Sequence, residues 1–257
     1  MPRSPRTLHS DYTYHITVRC NNRQFNLNRP PCRDILLYAI QKAKDKFNFS
    51  LYALCIMSNH VHYLLQPADP NDLPRIMHWL NWYAAMCFNR MLNRTGHFWE
   101  QRYFSAAFPA NDHQRALNTL RYIHANPKAA GITNGFTYRY SNYGTYASLT
   151  DDGLTCWHPA FLALGDSLDE CAARYRDFCR AYQPSHKAGG RRASWGRICL
   201  PDGLQHTQKR IPYNQATFPL AACQAGSRSQ AIFDRFPLLK AANTMAQRFK
   251  RANSLSV

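Results

Sequence analysis

Residues 55–67 read CIMSNHVHYLLQP, two apolar runs that meet at Ser58-Asn59, with His60 and His62 on either side of Val61. The runs predict two strands, 51–57 and 60–66, joined by a tight turn at that turn-favouring pair. Side chains two apart in a strand leave the same face of the sheet. Both imidazoles therefore share one face, and Val61 and Tyr63 take the other. Neutral imidazole is the commonest nitrogen ligand of metals, so two on one face supply half a coordination site. The same spacing also fits a plain pair of half-buried rings, and only the rest of the chain can separate the two readings.

Outward from this hairpin, DYTYHITVRC (11–20) alternates, with Tyr12, Tyr14, Ile16 and Val18 on one side and Thr13, His15, Thr17 and Arg19 on the other. That pattern predicts a half-buried strand. RDILLYAIQKAKDKF (33–47) has helical spacing. A long helix is expected over 71–96, capped at Asn71 or Asp72 and stopped at Gly96. HFWEQRYFSAAF (97–108) predicts a strand, and NDHQRALNTLRYIHANP (111–127) a helix that ends at Pro127. The order strand–helix–strand–strand–helix–strand–helix is an α+β pattern. It implies an antiparallel sheet with helices packed on one face. This core extends over residues 1–150, followed by a helical accessory segment, 151–185.

On the helix at 111–126, about 100° per residue places Leu117, Leu120 and Ile123 in one apolar stripe, with Ala116 and His124 at its edges. Tyr122 falls roughly 200° from Leu120, and Asn126, one turn later, shares its face. Arg115 and Asn118 lie on that side too. A tyrosine turned away from its own apolar stripe is either a surface aromatic or a chemical group. A metal held by two histidines and an amide oxygen can polarise a phosphate, and a phenol beside it can attack phosphorus to leave a covalent phosphotyrosine. With an intrinsic pKa near 10, that phenol needs positioning and an activating neighbour.

Charge points to the same substrate. The chain has 32 Lys and Arg against 15 Asp and Glu, a net charge of +17. Such an excess repels itself unless a polyanion neutralises it, which favours nucleic acid over an anionic membrane surface. From residue 186 onward twelve basic residues face two acidic ones, a local net charge of +10 that leaves +7 for the first 185. Residues 186–257 thus form a basic extension, entered through a flexible linker. Arg191, Arg192, Arg197, Lys209 and Arg210 are its candidate DNA contacts. No run of about 18 apolar residues exists, which argues against a bilayer span. The N-terminus lacks the apolar stretch of a signal peptide, so a cytoplasmic location is expected. The nine cysteines include no CxxC pair and read as reduced thiols.

SNHVHYLLQP, GHFWEQRYFSAAF and LRYIHANPKAAGI, with YHITVRCNNRQFNL before them and YRYSNYGTYASL after, resemble the ordered motifs of the HUH single-tyrosine transposases. They are most similar to the bacterial REP-associated branch, over roughly residues 10–150. The resemblance implies a ferredoxin-like (RRM-like) sheet. It also implies His60 and His62 as metal ligands, Asn126 as the third, Tyr122 as nucleophile, and Mg²⁺ or Mn²⁺ as the ion. The activity would be nicking and rejoining of single-stranded DNA beside a hairpin of REP type, by a monomer associated with the nucleoid. The family usually places an apolar residue after Asn-Pro, where this chain has Lys128.

Around that site His15 is a candidate for contact with a ligand or a phosphate, Arg102 and Arg115 are candidates for DNA phosphate contacts, and Glu100 could neutralise Arg102. His124, at the core edge, is not expected to ligate. Two other functions compete. A non-catalytic nucleic-acid binder on a similar sheet would need stacking aromatics and basic residues but no tyrosine in register with ligands. A two-histidine phosphoesterase would use His15-Ile16-Thr17 as one half-motif, but the second half is missing.

Overall fold

A computed structural model of the chain describes residues 7–182. The expected extension over 186–257, with Arg191, Arg192, Arg197, Lys209 and Arg210, lies outside the described residues.

Four strands form one antiparallel sheet in the order β2-β3-β1-β4: β1 Tyr12–Arg19, β2 Phe49–Ile56, β3 His60–Pro67 and β4 Phe104–Pro109. The helix α1 (Pro30–Lys46) connects β1 to β2 across β3, and α2 (Asp72–Met91) connects β3 to β4 across β1. These interleaved crossovers are the ferredoxin-like arrangement. They let α1 and α2 bury Tyr14, Ile16, Val18, Val61, Tyr63 and Leu65 on one face.

The expectation of helices on one face holds for α1 and α2. The other face is covered as well, by α3 (His113–Ala129) and by α5 (Pro159–Leu162) and α6 (Leu168–Arg180), which share a second apolar cluster with Ala53, Cys55 and Leu64. Strand β1 is consequently buried on both sides, Thr13, His15 and Thr17 included. Alternation foretold which residues share a face, but not that a later helix would cover the polar one.

The free edge of β2 is closed by the segment before α4 (Tyr143–Ala147). Ile56 donates its N–H to Tyr140 O, Asn142 donates to Leu54 O, and the Asn142 carboxamide accepts from Leu54 N and donates to Tyr52 O. Asn142 Oδ1 also lies 2.9 Å from His124 Nε2, and His124 Nδ1 lies 2.7 Å from the Tyr175 hydroxyl. Because Oδ1 can only accept, His124 carries its proton on Nε2 and receives the tyrosine's on Nδ1. This fully buried histidine joins α3 to the β2 edge and to α6, so it is structural, in line with the exclusion of His124 as a ligand.

Three element boundaries differ from expectation. Helix α2 ends at Met91 rather than Gly96, because Asn93 (φ 46°) turns the chain into the left-handed region. Of the expected 97–108 strand only 104–108 pair along β1, where β4 runs on to Pro109, and Trp99 makes an isolated bridge to Cys20. Helix α3 passes through Pro127 and ends at Ala129. Proline has no N–H for the carbonyl one turn back, but the Asn126 amide donates to Tyr122 O (2.8 Å) and Ile123 O (3.4 Å) in its place. Lys128, the departure from the family pattern, sets its ammonium 3.5 Å from Tyr182 O and 5.6 Å from the Phe136 ring. The seven cysteines among the described residues are free thiols.

Two stability predictions follow from the edge closure and the buried rings. Asn142→Ala orphans Leu54 N–H and His124 Nε2–H in the interior, whereas Tyr52 C=O keeps the Tyr146 hydroxyl, and should lower the unfolding free energy by about 2–4 kcal/mol in denaturant titration. Burial holds His124 at a pKa of about 4 and His158 at about 3, below the ordinary 6.5. The unfolded chain takes up protons below pH 6.5 that the folded chain refuses. The melting temperature should therefore be level above pH 7 and fall as pH drops from about 6.5 towards 4.

Candidate active site between the sheet and helix α3

The β1–β3 register sets Arg19 opposite His60 and Thr17 opposite His62. Alternation then brings His15, Thr17, His60 and His62 to the face that α3 covers. The His60 and His62 ring centroids are 4.9 Å apart, and those of His15 and His62 5.3 Å. Tyr122, from α3, sets its ring edge-on to both His62 (5.8 Å) and His15 (5.7 Å). The helical wheel turned Tyr122 away from the apolar stripe, and the structure gives that direction a destination, the imidazoles of the sheet.

Hydrogen bonds fix where the lone pairs point. The Asn59 amide donates to Arg23 O at 3.3 Å, which turns its Oδ1 to His60 Nδ1 at 2.7 Å. His60 must then carry its proton on Nδ1, leaving an acceptor lone pair on Nε2. His62 Nδ1 lies 3.1 Å from both His15 Nε2 and Thr17 Oγ1, whereas its Nε2 is buried and has no hydrogen-bond partner. Asn126 commits its NH₂ to the helix carbonyls, so its Oδ1 is the part left for a ligand. That carboxamide lies near His62 and favours its protonated form, but no hydrogen bond to Nε2 is formed.

Burial keeps the site uncharged. It lowers His15 and His60 to about 4, with Arg19 adding to the effect on His60, and depresses His62 further, with His60 and His15 repelling a second charge. The half-buried Tyr122 phenol is shifted upward by burial and, secondarily, by Tyr182. Neutral imidazoles are the metal-binding form, and a raised phenol pKa calls for a nearby cation to reverse it. Among the described residues no three His, Cys, Asp or Glu side chains cluster as a metal site, so a third protein donor would be the Asn126 amide oxygen.

The remaining candidates are peripheral. Glu100 is exposed, donates its backbone N–H to Arg19 O, and supports the Arg19 charge. Arg102 is exposed on the segment before β4. Arg115 is exposed in the first turn of α3, its guanidinium 5.2 Å from the Phe108 ring centre. Sequence reading missed Thr17 and Asn59 as partners of the two rings. Asn59 stood next to His60, but turn propensity accounted for it fully, and Thr17 acquires its role only through strand register.

The family model of the IS200-like transposases matches residues 8–126, which include His15, His60, His62, Tyr122 and Asn126. Among solved structures, a REP-associated tyrosine transposase bound to a REP hairpin is 20% identical, covering 61% of this chain and 89% of that chain with a TM-score of 0.48. A protein described as a transposase from Deinococcus radiodurans R1 is 22% identical, covering 45% of this chain and 91% of that chain with a TM-score of 0.31. No curated protein matches. Residues 8–126 are thus similar to the IS200-like transposases, in line with the single-tyrosine family that the motifs resemble.

Proposed function

We propose that the chain nicks and rejoins single-stranded DNA beside a hairpin through a covalent link to Tyr122. The observation that carries this reading is the placement of a phenol against two imidazoles, one of whose buried nitrogens has no protein partner. An orphaned buried nitrogen costs about 1–3 kcal/mol, a cost that a bound ion would offset and that a nucleic-acid binder would not need to carry at this place. His60 Nε2, His62 Nε2 and Asn126 Oδ1 are the three groups that would hold a divalent ion, Mg²⁺ or Mn²⁺. Such an ion would polarise the phosphate and offset the burial that raises the phenol pKa.

Tyr122 Oη then forms a bond to phosphorus, the bond to the 3′-oxygen breaks, and the strand keeps its 5′-phosphate on the tyrosine. The phenol proton leaves as the 3′-hydroxyl is released, and reversal of the step rejoins a strand without ATP. The relative whose structure holds a REP hairpin suggests the same class of substrate. Arg102, Arg115 and the basic residues of 186–257 supply phosphate contacts, so binding should weaken steeply with salt.

Incubation of the full chain with Mn²⁺ and a labelled single-stranded hairpin oligonucleotide should give a denaturant-resistant adduct on the 5′-phosphate side of the nick. Tyr122→Phe and chelation should each abolish it, and Asn126→Ala should reduce it about 10- to 100-fold. Binding that survives with no adduct under any condition would leave the non-catalytic reading.

The site is also proposed to be complete within one chain. Helix α3 is tied to its own α6 by His124 and by Arg121, which donates to Phe178 O and lies 3.8 Å from that ring. Mixing Tyr122→Phe with a His60→Ala/His62→Ala chain should therefore restore no adduct. Recovery on mixing would mean that catalytic helices are exchanged between two chains.

A further inference from the structure

Directly after β1, the loop 20–28 carries Phe25 with 70% of its surface exposed, the most exposed large apolar side chain among the described residues. Leaving an aromatic in water forfeits about 2 kcal/mol of burial, so a ring held out in this way fits a surface that receives a partner. The chain around it is costly to hold. Asn22 and Arg23 both have positive φ (51° and 56°), a conformation that non-glycine residues adopt at a penalty. Several anchors keep it. Leu27 is fully buried, Asn21 N–H donates to Phe98 O, and Cys20 N–H donates to Asn59 O. The Arg23 carbonyl takes the Asn59 amide, and that same Asn59 holds His60 in its tautomer. One residue thus fixes both the proposed ligand and the loop.

Everything beside the ring suits a single strand of DNA. Arg19, Arg23 and Arg29 bring three positive charges with no acidic residue between positions 12 and 33. Arg33 has turned inward over Tyr140, 4.4 Å from its centre, and takes no part. Arg94 reaches the loop through Gln24, at 3.5 Å. Glu100, near Arg19, is the acid that faces this cluster. Asn21, Asn22, Gln24, Asn26 and Asn28 offer amides, which can donate to and accept from exposed base edges. An apolar protein partner would want neither this charge nor these amides.

We infer that Phe25 is a stacking platform for an unpaired base flanking the scissile phosphate, with Arg23 on the adjoining phosphate. This rests on the proposed single-strand activity and names where the strand is gripped. Stacking needs a free π-face, so the platform takes single strands and not paired bases.

The test measures binding of the full chain to a short single-stranded oligonucleotide and to the blunt duplex of the same sequence, at several salt concentrations. Phe25→Ala should weaken single-strand binding about tenfold or more, with duplex binding, melting temperature and salt slope unchanged. Phe25→Trp should retain affinity and show fluorescence quenching on binding, whereas Phe25→Leu should behave like the alanine variant. Arg23→Ala should lower the salt slope by about 0.7, one phosphate's share on a single strand. Equal single-strand affinity for Phe25→Ala and the parent overturns the platform alone. A parent chain that binds no oligonucleotide overturns it together with the proposed activity, and an intact Tyr122 adduct with an unaffected Phe25→Ala separates the two failures.

Discussion

Helix α3 lies on a sheet face that bears three histidines and a threonine, and it can lie there only if every imidazole stays neutral. A charged ring under a helix would cost far more than the packing returns. The site depends on this constraint. Neutrality forces each ring to choose a tautomer: His60 donates its Nδ1–H to Asn59 Oδ1 and keeps its lone pair on Nε2. His62 has the same choice open where its Nδ1–H donates to Thr17 Oγ1 or His15 Nε2, each 3.1 Å away, and its Nε2 is then an acceptor on the face from which Tyr122 approaches. The arrangement that packs the second layer of the fold is the one that would prepare the proposed cation site.

The same economy runs through α3. Asn126 substitutes for the N–H that Pro127 lacks, and in doing so spends its amide hydrogens and leaves its oxygen to face the ligand side. His124, two residues beyond the tyrosine, spends both ring nitrogens on Tyr175 and Asn142 and locks the helix in azimuth. Neighbouring polar residues on one helix therefore divide between holding it and serving the site, and the division follows from which face each one occupies.

Much of this was legible from residue spacing. Two-residue periodicity placed His60 and His62 on one face and His15 on the polar side of its own strand, and the 100° wheel turned Tyr122 and Asn126 together, away from Leu117 and Leu120. Spacing within an element says nothing about what covers it, however. The half-buried strand expected at 11–20 is buried on both sides because α3, a hundred residues later, closes over it. Helix stops were misjudged at Pro127 and Gly96, where a side-chain donor and an asparagine at positive φ decided the boundary. Thr17 and Asn59 were not singled out, since their roles arise from strand register and from a turn contacting another loop.

The most direct measurement of the central claim is anomalous diffraction from crystals of the chain soaked in Mn²⁺. The account predicts one ion bonded to His60 Nε2, His62 Nε2 and Asn126 Oδ1, within reach of the Tyr122 hydroxyl. An ion seated elsewhere, or a His62 Nε2 found bonded to a protein donor with no ion beside it, would contradict it.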